Sequence, residues 1–182
     1  MNKTIFVVGG CRSGKSGQAL RLGESLPGRR KLFVATCVPE DDEMRQRVRR
    51  HQLDRGPRWT PLEVPLELAD CILQNGPKAD LMLIDCLTLW VSNMMLAYQE
   101  HKPIDDHIQG LCTVLDHPPC HLILVSNEVG AGIVPENALA RRFRDIVGWT
   151  NQQVAAACEQ VIWMVAGLPV PIKPCSVLNG SL

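Results

Sequence analysis

A glycine-rich loop near the start of the chain constrains the fold more than any other feature. Residues 9–16 read GGCRSGKS and match the pattern GxxxxGK[ST]. An apolar run, residues 5–8, precedes the loop directly, and a helical pattern follows it at once. In this context the loop backbone curls so that its N–H groups face phosphate oxygens, and the helix N-terminus adds partial positive charge. The sequence therefore predicts a strand, a phosphate-binding loop and a helix that hold a nucleotide.

The chemistry expected of this loop extends to a carboxylate elsewhere in the chain. Lys15 is expected to reach the β- and γ-phosphates, and the Ser16 hydroxyl is expected to coordinate Mg²⁺. Asp85 ends the apolar run 81–84 and is predicted to be the acidic partner of the metal. In the alternative interpretation, Asp85 or Thr88 caps the following helix, and the two roles are compatible. The predicted nucleotide contacts within the loop are Gly9, Gly10, Cys11, Arg12, Ser13, Gly14, Lys15 and Ser16.

Short apolar runs alternate with helical patterns along the rest of the chain. Near-continuous apolar runs are typical of strands that are buried on both faces of a parallel sheet. The order predicts an α/β fold of the P-loop NTPase type, with an open, mostly parallel sheet and helices on both faces. We expect one domain over residues 1–173 and a loose tail over 174–182. Predicted strands are 4–8, 31–36, 81–85, 121–126, 161–166 and a short 169–173; predicted helices are 14–26, 41–53, 66–74, 88–99, 105–115 and 137–158.

Composition excludes several classes of protein. Nineteen basic residues balance nineteen acidic ones, which argues against a general nucleic-acid or acidic-membrane binder. No apolar run is long enough to span a membrane. The apolar stretch within the first ten residues is too short for a secretory signal. The eight cysteines contain no CxxC pair or zinc-type spacing, so we expect reduced thiols in a cytoplasmic protein.

A histidine at the end of a charged helical pattern admits two interpretations. Residues 40–51 begin acidic and end basic, which suits the helix dipole. Met44, Val48 and His51 share one face, so periodicity alone favours a packed or capping histidine. The alternative is that His51, beside Arg45 to Arg50, is a nucleophile towards phosphorus.

Two further segments are candidates for ligand contact. Residues 126–137 follow the predicted fourth strand, are rich in glycine and carry two carboxylates, so they are expected to hold substrate or metal, to act as a lid, or simply to form a strand-to-helix turn. Trp59 and Glu63 are weaker candidates for a base or ribose contact, because single residues of these types are commonly structural.

Together, several segments closely resemble one family, the bifunctional adenosylcobinamide kinase/adenosylcobinamide-phosphate guanylyltransferases of cobalamin synthesis. The resemblance covers about residues 4–173. One departure is Arg50, which stands before His51 where some members carry two adjacent histidines. The segments are GGCRSGKS, VATC, DDEMRQRVRRHQ, WTPLE, LIDCLTLWVSN and SNEVGAGIVPENALARRFRDIVGWTNQQVA.

The resemblance implies two reactions and assigns residues to them. ATP or GTP phosphorylates adenosylcobinamide, and GTP then guanylylates a histidine that passes GMP to the phosphorylated corrinoid, which gives adenosylcobinamide-GDP and pyrophosphate. It implies His51 as the nucleophile, Mg²⁺ as the metal and a homotrimer with the corrinoid between subunits. The implied nucleotide contacts beyond the loop are Ala35, Thr36, Cys37, Glu63 and Asp85. Arg49 or Arg50 would stabilise the leaving pyrophosphate.

Two alternatives of other kinds remain open at this point. One is a P-loop kinase of a different small metabolite, in which His51 is structural. The other is a nucleotide-switch ATPase that binds a protein partner.

Overall fold

The computed structural model describes residues 2–38 and 58–174. The elements in chain order are β1 (Thr4–Gly9), α1 (Lys15–Ser25), β2 (Lys31–Ala35), β3 (Trp59–Glu63), α2 (Leu68–Asn75), a 3₁₀ turn (Gly76–Lys78), β4 (Leu81–Asp85), α3 (Leu87–Ala97), α4 (His101–Asp116), β5 (His121–Asn127), α5 (Ala138–Ala157), β6 (Gln160–Val165) and β7 (Leu168–Lys173).

The described strands form one sheet in the order β3-β2-β4-β5-β1-β6-β7. Six of them run parallel, and β7 pairs antiparallel with β6. The β6–β7 turn places Ala166 and Gly167 at positive φ. Because β5 lies between β4 and β1, the strands that end at Asp85 and at the glycine-rich loop flank the same neighbour. This topology confirms the predicted fold class and brings the carboxyl ends of the parallel strands to one edge.

Alternate residues of each central strand pack into two different cores. On one face, Leu122 and Leu124 of β5 pack in a large cluster with apolar residues of α2, α3, α4 and α5. On the other face, Ile123 and Val125 pack in a cluster to which, among the described helices, α1 contributes its buried side chains. This alternation is the period of two that strand geometry imposes. The helices therefore cover both faces, as predicted.

The predicted element boundaries agree with the structure within a few residues in most cases. Asn137 is the N-cap of α5, and its Oδ1 accepts a hydrogen bond from the Ala140 N–H at 3.1 Å. Helix α4 begins at His101, four residues before the predicted start. The predictions for the helix 41–53 and for the tail 175–182 lie outside the described residues.

Strand β3 is the element that the sequence prediction missed. Its sequence is WTPLE, and Pro61 lacks the N–H that a central strand must donate on one side. Among the described strands, β3 lies at the edge of the sheet and pairs with β2 alone, which is the position where proline is tolerated.

The seven described cysteines are thiols that form no disulfide with one another, and Cys175 lies outside the described residues. Burial raises the pKa of Cys158 to about 12 and that of Cys86 to about 11, so these thiols stay protonated at neutral pH. Over the described ranges, no helix combines the length and apolar character needed to cross a membrane.

Candidate functional site

The glycine-rich loop connects β1 to α1 and is fixed by close backbone contacts. A Cβ on Gly9 would lie 2.5 Å from the Met164 carbonyl oxygen, so β6 approaches too closely for any other residue. Gly14 is the N-cap of α1 and has a φ of 90°, a conformation that glycine reaches without strain. The Ser13 carbonyl accepts a hydrogen bond from the Gly167 N–H at 3.1 Å, so the β6–β7 turn braces the loop.

Lys15 is the buried cation of the loop. Its Nζ donates a hydrogen bond to the Gly10 carbonyl at 2.6 Å. Burial lowers the pKa of Lys15, and the negative charge of the neighbouring Asp85 carboxylate opposes that shift. An ammonium group has three donors, and a neutral carbonyl offsets little of its charge. The geometry therefore leaves Lys15 ready to bind an anion within the loop.

Asp85 lies at the carboxyl end of β4, close enough to Lys15 for its charge to act on the lysine. Its Cα pairs with those of Ala35 on β2 and Val125 on β5, so it stands in the middle of the sheet. The N-cap residue of α3 is Cys86 rather than Asp85 or Thr88. The alternative that Asp85 or Thr88 is the helix cap is therefore wrong.

The residues around the loop fit a magnesium ion that is shared with a nucleotide. The Ser16 hydroxyl is half-buried and makes no hydrogen bond to the protein within the described ranges, while Asp85 supplies a carboxylate on the neighbouring side. In those same ranges, no group of three or more His, Cys, Asp or Glu side chains could hold a metal by itself. Mg²⁺ typically takes one or two protein oxygens together with phosphates and waters, so this sparse donor set suits it.

The predicted contacts on β2 and β3 share the same edge of the sheet. Ala35 pairs with Glu63 as well as with Asp85, which places these three residues side by side at the strand ends. Thr36 is fully buried, and its hydroxyl donates to the Cys86 carbonyl at 2.7 Å while it accepts from the Cys86 N–H at 3.0 Å. The Thr36 side chain therefore joins β2 to α3, whereas Glu63 is exposed at the edge.

A polar network at the end of β5 was not predicted as a unit. The Thr88 hydroxyl lies 3.2 Å from the Ser126 hydroxyl and accepts a hydrogen bond from the Asn127 N–H at 2.7 Å. The Asn127 carbonyl accepts from the Asn151 amide at 3.0 Å. The sequence signal for this network is a pair of small polar residues, Ser126 and Asn127, directly after a buried strand.

The segment that follows β5 contacts the glycine-rich loop. The Glu128 N–H donates to the Gly9 carbonyl at 2.9 Å. The Glu128 carboxylate accepts from the Gly130 N–H at 2.6 Å, and the Gly130 carbonyl accepts from the Arg144 guanidinium at 2.7 Å. These bonds hold the start of the segment beside the glycine-rich loop and anchor it to α5.

Trp59 does not join the site. It is buried at the start of β3, and its indole N–H donates to Glu24 at 2.8 Å. Trp59 pairs with Lys31, at the opposite end of β2 from Ala35. The structural interpretation of Trp59 is therefore confirmed. The predictions for His51 and for Arg45 to Arg50 lie outside the described residues.

Comparisons with known proteins place the chain in a family. The family model for cobinamide kinase / cobinamide phosphate guanyltransferase matches residues 5–172. The bifunctional adenosylcobalamin biosynthesis protein CobP of Pseudomonas aeruginosa is 40% identical over 168 residues, which cover 92% of this chain and 96% of that protein. The corresponding protein CobU of Salmonella typhimurium is 40% identical over 181 residues, which cover 93% and 99%.

The fold also resembles a solved structure of low sequence identity. The flagellar accessory protein FlaH of Methanocaldococcus jannaschii superposes with a TM-score of 0.50 at 13% identity, over 94% of this chain and 78% of that one. This likeness concerns the fold alone. The sequence relatives and the family model, by contrast, span nearly the whole chain. The chain therefore belongs to the family of cobinamide kinases / cobinamide phosphate guanyltransferases.

Proposed function

We propose that this protein is a bifunctional transferase of adenosylcobalamin biosynthesis that phosphorylates adenosylcobinamide and then guanylylates the product. Membership of the family supports both halves of this proposal. The observation that carries the first half is the buried Lys15 within a strand–loop–helix phosphate site, with Asp85 on a nearby strand. This arrangement is the one that phosphoryl transfer from a nucleoside triphosphate requires.

In the first reaction, a hydroxyl oxygen of adenosylcobinamide attacks the γ-phosphorus of ATP or GTP. The new P–O bond forms as the bond to the β-phosphate oxygen breaks, and the hydroxyl proton passes to solvent. Loop N–H groups and Lys15 stabilise the charge that spreads over the phosphate oxygens. Ser16 and Asp85 are the residues that would hold Mg²⁺, which supplies further neutralisation of phosphate charge when it is bound.

In the second reaction, a ring nitrogen of His51 attacks the α-phosphorus of GTP and pyrophosphate leaves. A phosphate oxygen of adenosylcobinamide phosphate then attacks the same phosphorus, and the P–N bond breaks to give adenosylcobinamide-GDP. The support for His51 is the resemblance of residues 40–51 to the family together with the suitability of imidazole as a nucleophile near neutral pH. Arg49 or Arg50 would stabilise the leaving pyrophosphate.

The remaining nucleotide contacts and the assembly are part of the same proposal. Ala35, Cys37 and Glu63 would contact the nucleoside from the strand ends beside Asp85, and Thr36 would contribute only through the backbone that its buried side chain holds in place. By resemblance to the family we propose a homotrimer that works in the cytoplasm on a corrinoid and a nucleotide, without nucleic acid. A mass measurement in solution tests the trimer.

The decisive experiment is incubation of the protein with GTP labelled at the α-phosphate. We expect a covalent adduct that is acid-labile and alkali-stable, as a phosphoramidate is, and we expect His51→Ala to abolish it. The matched control is His117→Ala, because His117 is an exposed histidine just after α4 and should leave the adduct intact.

A second measurement separates the two halves of the proposal. Phosphorylation of adenosylcobinamide by His51→Ala should persist, because the attack in that reaction is on the γ-phosphorus. If the wild-type protein forms no adduct while it phosphorylates a different small molecule, the transferase half is wrong and a kinase of another metabolite replaces it. If it only hydrolyses nucleotide slowly and a protein stimulates it, the nucleotide-switch alternative stands.

A further inference from the structure

Strand β5 ends in an asparagine, Asn127, and lies between the strand that leads into the glycine-rich loop and the strand that ends at Asp85. Asn127 pairs with Gly9, the first residue of the phosphate-binding loop. Asp85 on the other neighbouring strand pairs with Val125, two residues earlier on β5. Asn127 therefore reaches farther than Asp85 towards the edge where ligands bind in parallel sheets.

The side chain of Asn127 is placed on the face of the sheet that carries the phosphate-binding loop. Ile123 and Val125 pack with α1, whose first residue is Lys15. Strand alternation puts Asn127 on that face as well. The same argument places Asp85 there, because Leu81 and Leu83 of β4 belong to the α1 cluster. Lys15, Asp85 and Asn127 thus surround one region in front of β5.

The backbone of Asn127 is held on both sides. Its N–H donates to the Thr88 hydroxyl at 2.7 Å and its carbonyl accepts from the Asn151 amide at 3.0 Å. The next peptide N–H, that of Glu128, donates to the Gly9 carbonyl at 2.9 Å. A hydroxyl and a side-chain amide from two different helices thus tie this strand end, and such ties are what fixes a catalytic side chain in position.

The carboxamide itself is left open. Asn127 is half-buried, and within the described ranges its side chain makes no hydrogen bond to the protein. A carboxamide supplies two N–H donors. The backbone of Asn127 is fixed, its side-chain donors are unused, and it lies beside the lysine and the carboxylate proposed to bind phosphate and metal. The carboxamide is therefore placed to donate a hydrogen bond to a ligand oxygen and is not needed for the fold.

We propose that Asn127 is a catalytic residue of the kinase reaction, whose Nδ2–H donates a hydrogen bond to an oxygen of the γ-phosphoryl group as that group is transferred. The proposal rests on the proposed kinase function. As the substrate oxygen bonds to the γ-phosphorus and the bond to the β-phosphate oxygen breaks, the Asn127 bond strengthens with the charge on the transferred group. Asn127 gains and loses no proton in this step.

The test compares steady-state phosphorylation of adenosylcobinamide by the wild-type protein and by Asn127→Ala. We expect kcat to fall roughly 100-fold, because the bond acts mainly on the transition state. We expect the KM for the nucleotide and the Kd for a non-hydrolysable GTP analogue to stay within about threefold of wild type, because the loop and Lys15 supply ground-state binding.

Asn127→Asp separates a catalytic donor from a structural side chain. The aspartate has nearly the same shape, but its ionised form lacks the donor and repels phosphate, so kcat should fall at least as far as in Asn127→Ala. As the pH is lowered and the carboxyl group gains a proton, it regains a donor. The ratio of variant to wild-type kcat should therefore rise as the pH falls, whereas a side chain that does not face the phosphate would not produce that rise.

The matched control is Asn75→Ala. Asn75 is another half-buried asparagine, at the end of α2, and its amide donates to the Cys71 carbonyl at 2.9 Å, away from the site. Its kcat should equal that of wild type. Unchanged kcat in both Asn127 variants, or a loss that lies wholly in KM, overturns the proposal. If Asn127→Ala does not fold, the kcat of Asn127→Asp and its pH dependence decide between the two outcomes.

The wild-type rate and the rates of the Asn127 variants test the kinase function and the role of Asn127 separately. If the wild-type protein does not phosphorylate adenosylcobinamide, the proposed function is wrong. The role of Asn127 is then measured on hydrolysis of GTP, which also transfers the γ-phosphoryl group. A rate that is the same in wild type and in both variants rejects the role of Asn127.

Discussion

At the scale of single residues, the ionisation of Lys15 links the fold to nucleotide binding. Burial is the largest influence on its pKa and lowers it, while the nearby negative charge of Asp85 acts in the opposite direction. Phosphate binds to the ammonium form. Neutral lysine therefore begins to accumulate at a lower pH here than for an exposed lysine, and bound nucleotide should raise the pKa again.

This ionisation predicts a pH dependence of nucleotide affinity. As the pH rises through the lowered pKa of Lys15, the affinity for GTP should decrease, because binding must then recruit a proton. In the Lys15→Arg variant, the arginine stays charged at every accessible pH. The decrease in GTP affinity with rising pH should therefore be absent in that variant, whatever its overall affinity. Titrations with a non-hydrolysable GTP analogue from about pH 7 to about pH 10 measure it. A parallel decrease in both proteins would contradict the assignment to Lys15.

At the scale of elements, a strand or helix could be predicted from the sequence when its residue pattern is continuous along the chain. The strand, glycine-rich loop and helix at residues 4–25 were predicted correctly because their pattern is continuous in sequence. Strands β4 and β5 were predicted because they are buried on both faces and so read as apolar runs. Strand β3 was missed because, at the sheet edge, it carries exposed residues and a proline.

The polar part of the site was harder to predict because its contacts are distant in sequence. Thr88 and Ser126 lie 38 residues apart, and Asn127 and Asn151 lie 24 apart. Each of these residues, taken alone, is an ordinary polar side chain. Their roles follow only from the strand order, which brings β4 and β1 to the two sides of β5.

Strand β3 also supplies a test of the structural role of Trp59. Trp59→Phe removes the indole N–H that bonds to Glu24 and part of the volume that packs against Gly23 and Phe33. We expect a loss of about 1–2 kcal/mol in the free energy of unfolding by denaturant. The KM for GTP should stay within about twofold of wild type, because Trp59 lies at the far end of the sheet.

Trp163→Phe is the control for that substitution. Trp163 on β6 is 43% exposed, so its replacement should change the unfolding free energy by less than about 0.5 kcal/mol. An increase in the KM for GTP in Trp59→Phe, with stability unchanged, would instead support a contact between Trp59 and the nucleotide.

At the scale of the whole molecule, the site is built from segments that are far apart in the chain. The phosphate-binding loop is braced by Gly167 of the β6–β7 turn and by Glu128 after β5, while Asp85 comes from the centre of the sheet. A nucleotide bound as proposed would contact a loop and a carboxylate that segments from the first, middle and last parts of the chain hold in place. Binding should therefore stabilise the native state as a unit, since the unfolded chain lacks the site.

The size of that stabilisation follows from mass action. At a GTP concentration of about 100 times Kd with Mg²⁺ present, the native state gains about 2.7 kcal/mol, which for a chain of this length corresponds to a rise of about 5–11 °C in Tm.

Lys15→Ala should lose most of the rise, because the buried cation is gone. Removal of Mg²⁺ with EDTA should reduce the rise in wild type, because the ion proposed to join Ser16 and Asp85 to the phosphates is then lost. Asp85→Asn should show a smaller Tm rise with Mg²⁺, and EDTA should not change that rise. If EDTA lowers the Tm rise of this variant as much as that of wild type, Asp85 does not bind the metal.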